Sequence, residues 1–274
     1  MDNVPESIYN YRINKINLKD GTPVEPGRIN VFVGANNCGK TQLLKDMLAY
    51  MTGSRTEPVL LTDLDLPYPS TWEELIAAYP MNIVDTNGGL QQLRHISPTL
   101  NAQPAGPQTF NLLNTLKQQL RNTDKREFRQ STGQGMVTFL NTDNRLSLTQ
   151  KCTVQNLQTV GPKNVLEALY HADIAAPNRI RELVKSTFNT DIYFDYTDPG
   201  TLQFRIGNDF STISENSRVA YSQVSRYPIL DNQGDGLRSY VGMISALMSL
   251  SKPIILLDEP EAFLHPPQAM QLGM

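Results

Sequence analysis

Eight consecutive residues, Gly34-Ala35-Asn36-Asn37-Cys38-Gly39-Lys40-Thr41, have the spacing G-x-x-x-x-G-K-S/T. Glycines at both ends allow a tight loop whose backbone N–H groups converge on a phosphate. The lysine neutralises β- and γ-oxygens, and the hydroxyl that follows it is a ligand for Mg²⁺. The expected chemistry is binding of ATP with Mg²⁺ by Gly34, Ala35, Asn36, Asn37, Cys38, Gly39, Lys40 and Thr41, with the adjoining Gln42 counted in the site. Cys38 reads as a small loop filler. Far along the sequence, the apolar run Ile254-Ile255-Leu256-Leu257 ends in Asp258-Glu259-Pro260. An acid at the C-terminal end of a buried strand reaches the metal shell, so Asp258 joins Thr41 as an expected Mg²⁺ ligand. Glu259 is placed to polarise the attacking water, as a general base does from within hydrogen-bond reach. Lys40 and Glu259 are the expected catalytic residues.

These side chains need elements to hold them. Arg28–Val33 (RINVFV) is a β-branched run that predicts a short strand buried on both faces. From Lys40 a helix is expected, with Leu43, Leu44, Met47 and Leu48 on one stripe. Its N-terminus adds the positive end of a dipole to the loop. Tyr9–Leu18 fits an edge strand. Ahead of the Asp258 strand, QGDG (233–236) opens the helical stretch LRSYVGMISALMSL. Gly234 and Gly236 permit close approach of that helix start to a γ-phosphate held by another subunit, and Arg238 adds charge.

The segments VFVGANNCGKTQLL, GDGLRS and IILLDEPEAFLHPPQ together resemble the ATPase domain of the overcoming-lysogenisation-defect nuclease family. More broadly they are similar to SMC-like, ABC-type ATPases of bacterial phage-defence systems, some of them retron-associated. The resemblance covers about forty residues at each end of the sequence. It implies an α/β fold, a P-loop NTPase core of ABC/SMC type with a large α+β insertion. The core would comprise 1–54 and 226–274, and the inserted lobe 55–225. It further implies a homodimer or higher oligomer that sandwiches ATP, and a nuclease domain or subunit controlled by it in antiviral defence. GDGLRS lacks the serine that precedes the glycines in the transporter signature. Glu261–Pro266 resembles the family's D-loop at the dimer interface, which makes His265 interfacial or structural. The family's inserted lobe begins with a glutamine, for which Gln91 and Gln92 are candidates in an apparent loop. In such cores the acidic strand is followed by a helix and a further strand ending in a switch histidine. That strand is missing here, so the expectation is a fragment, or a protein completed by a partner, with a Toprim-type nuclease as one form of the missing part.

The middle of the chain is rich in Asn, Gln, Thr and Pro. A helical pattern runs over 107–130, two helices broken at Pro177 over 163–187, and a hairpin over 190–207 turning at Asp198-Pro199-Gly200. Lys117, Arg121, Lys125, Arg126 and Arg129 form a basic stripe that is either a solvated face or a nucleic-acid contact. His95 and His171 read as ordinary surface or half-buried residues.

With 24 Lys and Arg against 27 Asp and Glu among 274 residues, the net charge of −3 excludes a strongly basic tail. No apolar run approaches the roughly 18 residues of a membrane span. No secretory signal is visible, and two cysteines make no disulfide framework. The expectation is a cytoplasmic protein without a membrane partner. A nucleotide-sensing scaffold that holds an effector inactive with little turnover is the alternative function. A transporter subunit and a small-molecule kinase are the weaker rivals, disfavoured by the irregular GDGLRS and by its having no role in a kinase.

Overall fold

A computed structural model describes residues 9–78, 81–85, 91–95, 110–154, 162–173 and 175–271. The chain divides into two compact units, one running to Phe139 and including Ser251–Asp258, the other Leu140–Leu250 with Glu259–Met274. The division cuts through the stretch 55–225 rather than around it, and it falls between Asp258 and Glu259. Helices are mixed with small sheets in both units. No described helix is long and apolar enough to cross a membrane.

In the first unit the helix expected from Lys40 spans Lys40–Met51 and buries Leu43, Leu44, Met47 and Met51. Its stripe shares one core with Ile16, Leu61 and Leu64 of an antiparallel sheet in which Lys15–Leu18 lies between Pro23–Val24 and Leu61–Asp65. Phe128 and Met136 of the helix Arg126–Met136 complete that core. The strand expected at an edge over Tyr9–Leu18 is thus confined to Lys15–Leu18 and is the middle strand of its sheet, with Tyr9 and Tyr11 buried outside it. The helical pattern over 107–130 resolves into a strand, Phe110–Leu112, and two helices, Leu113–Arg121 and Arg126–Met136.

The segment 28–33 corrects the expectation of a buried strand. It pairs with no described strand, and Ile29, Val31 and Val33 are 84%, 79% and 86% exposed. Only Phe32 packs on the core. The Asn30 side chain bonds both the N–H and the carbonyl of Gly27, a local turn that competes with a ladder. The acidic-end strand does form, over Ile254–Leu257, and pairs with Val137–Leu140.

The far end of the Lys40–Met51 helix is gripped by Arg126–Met136. At Gly133 the backbones come so close that a Cβ would lie 2.1 Å from the Met51 carbonyl oxygen. Arg129 donates to the Tyr50 carbonyl at 2.9 Å and Gln130 to that of Gly53 at 3.0 Å. Side chains thus satisfy carbonyls at a helix end, with a cation at the negative end of the dipole.

In the second unit the helix Asp235–Ser249 packs against Val165–His171 and Ala175–Phe188. The break between the latter two precedes Ala175. Pro177 sits in the first turn of the second helix, where a missing N–H loses no intrahelical bond. The hairpin forms as expected from Asp191–Asp195 and Thr201–Gly207, with Thr201 N–H donating to the Asp198 carbonyl at 3.0 Å. Asp191 and Asp195 are buried. Burial alone would raise both carboxyls, but each is held below its ordinary value by an arginine and by N–H or hydroxyl donors. Arg181 grips Asp191 through two nitrogens at 2.7 and 2.6 Å, with Phe210 N–H at 3.0 Å. Thr197, Gln203 and Arg205 donate to Asp195 at 2.6 to 3.0 Å.

Candidate functional site

The loop 34–39 joins the exposed segment 28–33 to the helix start. Gly39 has φ 97° and Asn37 φ 64°, both in the left-handed region that lets consecutive peptide N–H groups turn inward. A Cβ at Gly34 would lie 2.6 Å from Cys38 Sγ, so the thiol fills the space the glycine leaves, as expected of a small loop residue. Ala35, Asn36 and Asn37 are exposed, as is Cys38. Lys40 Nζ donates to the carbonyls of Gly34 at 2.8 Å and Ala35 at 2.9 Å, and lies 3.8 Å from Cys38 Sγ.

Thr41 Oγ1 donates to Asp258 Oδ1 at 3.0 Å, across 217 residues of sequence. This bond brings together the hydroxyl and the carboxylate expected to share a cation. A magnesium ion keeps several waters and takes only one or two carboxylates beside substrate phosphates, so one hydroxyl and one buried carboxylate suit it. Among the described residues no group of three or more His, Cys, Asp or Glu forms a denser metal cluster. Gln42 faces along its own helix and donates to Asp46 at 2.7 Å. Burial works to raise the Asp46 carboxyl, but that amide and the N–H groups of Leu60 and Leu61 hold it below its ordinary value.

Comparison with family models, with curated proteins and with solved structures finds no match to this chain. The resemblance of the three motifs therefore stands on the residues themselves.

Glu259 begins the second stretch of the second unit. Its carboxylate is exposed, and its backbone has φ 45°, a conformation that costs a non-glycine residue about 1 kcal/mol or more. Its carbonyl accepts from Ala262 N–H at 3.0 Å and from Arg145 Nη2 at 2.8 Å. Within the same unit Gly234 is exposed at the N-cap of Asp235–Ser249, with open space where a Cβ would stand. Gly236 is different. A Cβ there would lie 2.6 Å from the Phe263 carbonyl oxygen, so its close approach is to its own chain. Arg238 is also engaged in cis, donating to Asp235 and to the Leu146 carbonyl, each at 3.0 Å.

Gln91 and Gln92 lie in a strand, Gln91–His95, paired with Met81–Asp85, and not in a loop. His265 N–H is bonded by the Gln268 side chain at the start of a short helix, a structural place. His171 is exposed, and the His95 side chain is outside the described set. The basic stripe is largely committed to the fold. Lys117 lies 4.5 Å from the Trp72 ring centroid, Lys125 donates to Leu120, and Arg126 lies 3.4 Å from the Gly53 and Ser54 carbonyls. Arg129 bonds Tyr50 and Tyr68. Arg121 is exposed.

Sequence reasoning missed Arg145 and Lys252. Both are buried cations far in sequence from the groups they bond. The one local signal was Asn141-x-x-Asn144 beside Arg145, a pattern that caps a helical turn.

Proposed function

We propose that this chain binds ATP with Mg²⁺ at the loop 34–41 and hydrolyses it. The observation that carries this is the Thr41–Asp258 hydrogen bond, which unites the two phosphate-chemistry motifs. Thr41 and Asp258 would hold the cation, which neutralises phosphate charge when bound. Lys40 exchanges the neutral carbonyls of Gly34 and Ala35 for phosphate oxygens, a charge-assisted bond of about twice the strength. Glu259 accepts a proton from water as the water oxygen bonds to the γ-phosphorus and the bond to the ADP oxygen breaks. The wider reading, a dimer sandwiching ATP that controls a nuclease in antiviral defence, draws its support from the motif resemblance alone.

Titration calorimetry beside a turnover assay tests the proposal. Lys40→Ala should lose tight ATP binding, and Glu259→Gln should keep binding while slowing hydrolysis by about 10²–10⁴. Unchanged affinity in the first variant refutes the phosphate loop. Parent-rate turnover in the second refutes Glu259 as the base. Binding by the parent without turnover would leave the nucleotide-sensing scaffold.

A further inference from the structure

We propose that Arg145 is a positioning residue for hydrolysis: its guanidinium holds the backbone of Glu259, and the helix Asp235–Ser249 in turn holds Arg145. This rests on Glu259 being the general base.

The Glu259 carboxylate takes no hydrogen bond from any described residue, so what the fold fixes is the backbone from which that side chain reaches. That backbone is in the left-handed region, which a glutamate does not adopt unaided. Two donors fix it, the Ala262 N–H inside its own turn and the Arg145 Nη2 from outside it. Arg145 is fully buried, which holds its guanidinium in place against the Glu259 carbonyl.

Arg145 is itself placed on three sides. It ends the one-turn helix Thr142–Arg145, whose first turn is closed by reciprocal bonds between Asn141 and Asn144 at 2.8 and 3.0 Å. The helix Asp235–Ser249 approaches at Gly242, where a Cβ would lie 2.3 Å from the Arg145 carbonyl oxygen. Met243 Sδ of the same helix is 3.9 Å from Arg145 Nη1. One turn away, Arg238 donates to the carbonyl of Leu146, the next residue. The helix that begins with GDGLRS therefore grips the turn that carries Arg145. A displacement of that helix reaches the Glu259 backbone through the guanidinium, beside the direct approach of Gly236 to the Phe263 carbonyl.

The test compares Arg145→Met, Glu259→Gln and the double variant by single-turnover hydrolysis and by Mg-ATP titration. Arg145→Met should slow hydrolysis by about 10²-fold, the scale of a misplaced reacting group, with nucleotide affinity within about twofold of the parent. The double variant should be no slower than Glu259→Gln alone, because Arg145 acts only through that carboxylate. A parent rate in Arg145→Met, a parallel loss of affinity, or full multiplication of the two effects overturns the proposal. Should Arg145→Met not fold, Arg145→Lys carries the same test. It keeps a buried cation with a shorter reach, and an unchanged rate there also overturns the proposal. Failure of the underlying reading shows separately, as Glu259→Gln turning over at the parent rate.

Discussion

Lys252 is 8% exposed and stands two residues before the strand Ile254–Leu257 that leads to Asp258. Its ammonium donates to the Gln134 carbonyl at 3.0 Å, in the last turn of Arg126–Met136. Among the described residues no carboxylate pairs with it, and burial pushes it down from 10.5 to about 8. The unfolded chain keeps the ordinary value. Between the two values the unfolded state binds more protons than the native state, so stability rises with pH across that window. Below it, the native protein carries the whole penalty of a buried charge, on the order of 3 kcal/mol. Lys252→Met removes the charge and keeps the length. It loses one hydrogen bond of about 1 kcal/mol, so near neutral pH the variant should be the more stable by about 2 kcal/mol. Urea unfolding of parent and variant from about pH 7.5 to about 10 measures this, and the difference between the curves cancels other titrating groups. The advantage of the variant should shrink as pH rises, while its ATP affinity stays unchanged. Parallel curves across the window, or a variant less stable at every pH, would refute the reasoning.

Gly133→Ala should lower stability by about 1–3 kcal/mol, because its Cβ meets the Met51 carbonyl rather than a side chain that can swing away; an unchanged thermal midpoint would contradict that packing. Gly236→Ala should disturb the Phe263 carbonyl and the turn beginning at Glu259, and so slow hydrolysis more than it weakens ATP binding. Calorimetry and turnover on the same preparation decide this, and the opposite ratio would mean that the glycine serves phosphate directly.

The sequence made the local features readable. The helix at Lys40 and the hairpin about Asp198–Gly200 follow from periodicity and turn chemistry, which act within a few residues. The Thr41–Asp258 pairing was readable because each residue falls in a segment whose pattern assigns it to the same expected site. The segment 28–33 was misread because a β-branched run states a preference for extended backbone and nothing about a partner strand. Arg145 and Lys252 were unreadable for a related reason. Each bonds a backbone carbonyl, Arg145 across 114 residues and Lys252 across 118, and a carbonyl has no residue type to recognise. The contacts that Gly236 and Arg238 make within their own chain, to Phe263, Asp235 and Leu146, were likewise not readable, because their partners lie in segments without a motif in common.

The grip at the far end of the Lys40–Met51 helix adds to the core packing of Leu43, Leu44 and Met47 and makes that helix a rigid arm. Its C-terminal carbonyls are tied by Arg129 and Gln130, and Gly133 seats it backbone to backbone. The rod is about 18 Å long, and its loaded end carries Lys40 and Thr41. Such anchoring resists sliding or turning of the helix under the proposed binding of a phosphate at its start. Adjustment must come from the peptides ahead of the tip, where Asn37 and Gly39 already hold left-handed torsions and the segment 28–33 lacks ladder bonds to resist. If a phosphate binds there as proposed, the loop and the segment 28–33 are the parts free to adjust, and the core around Met51 is not.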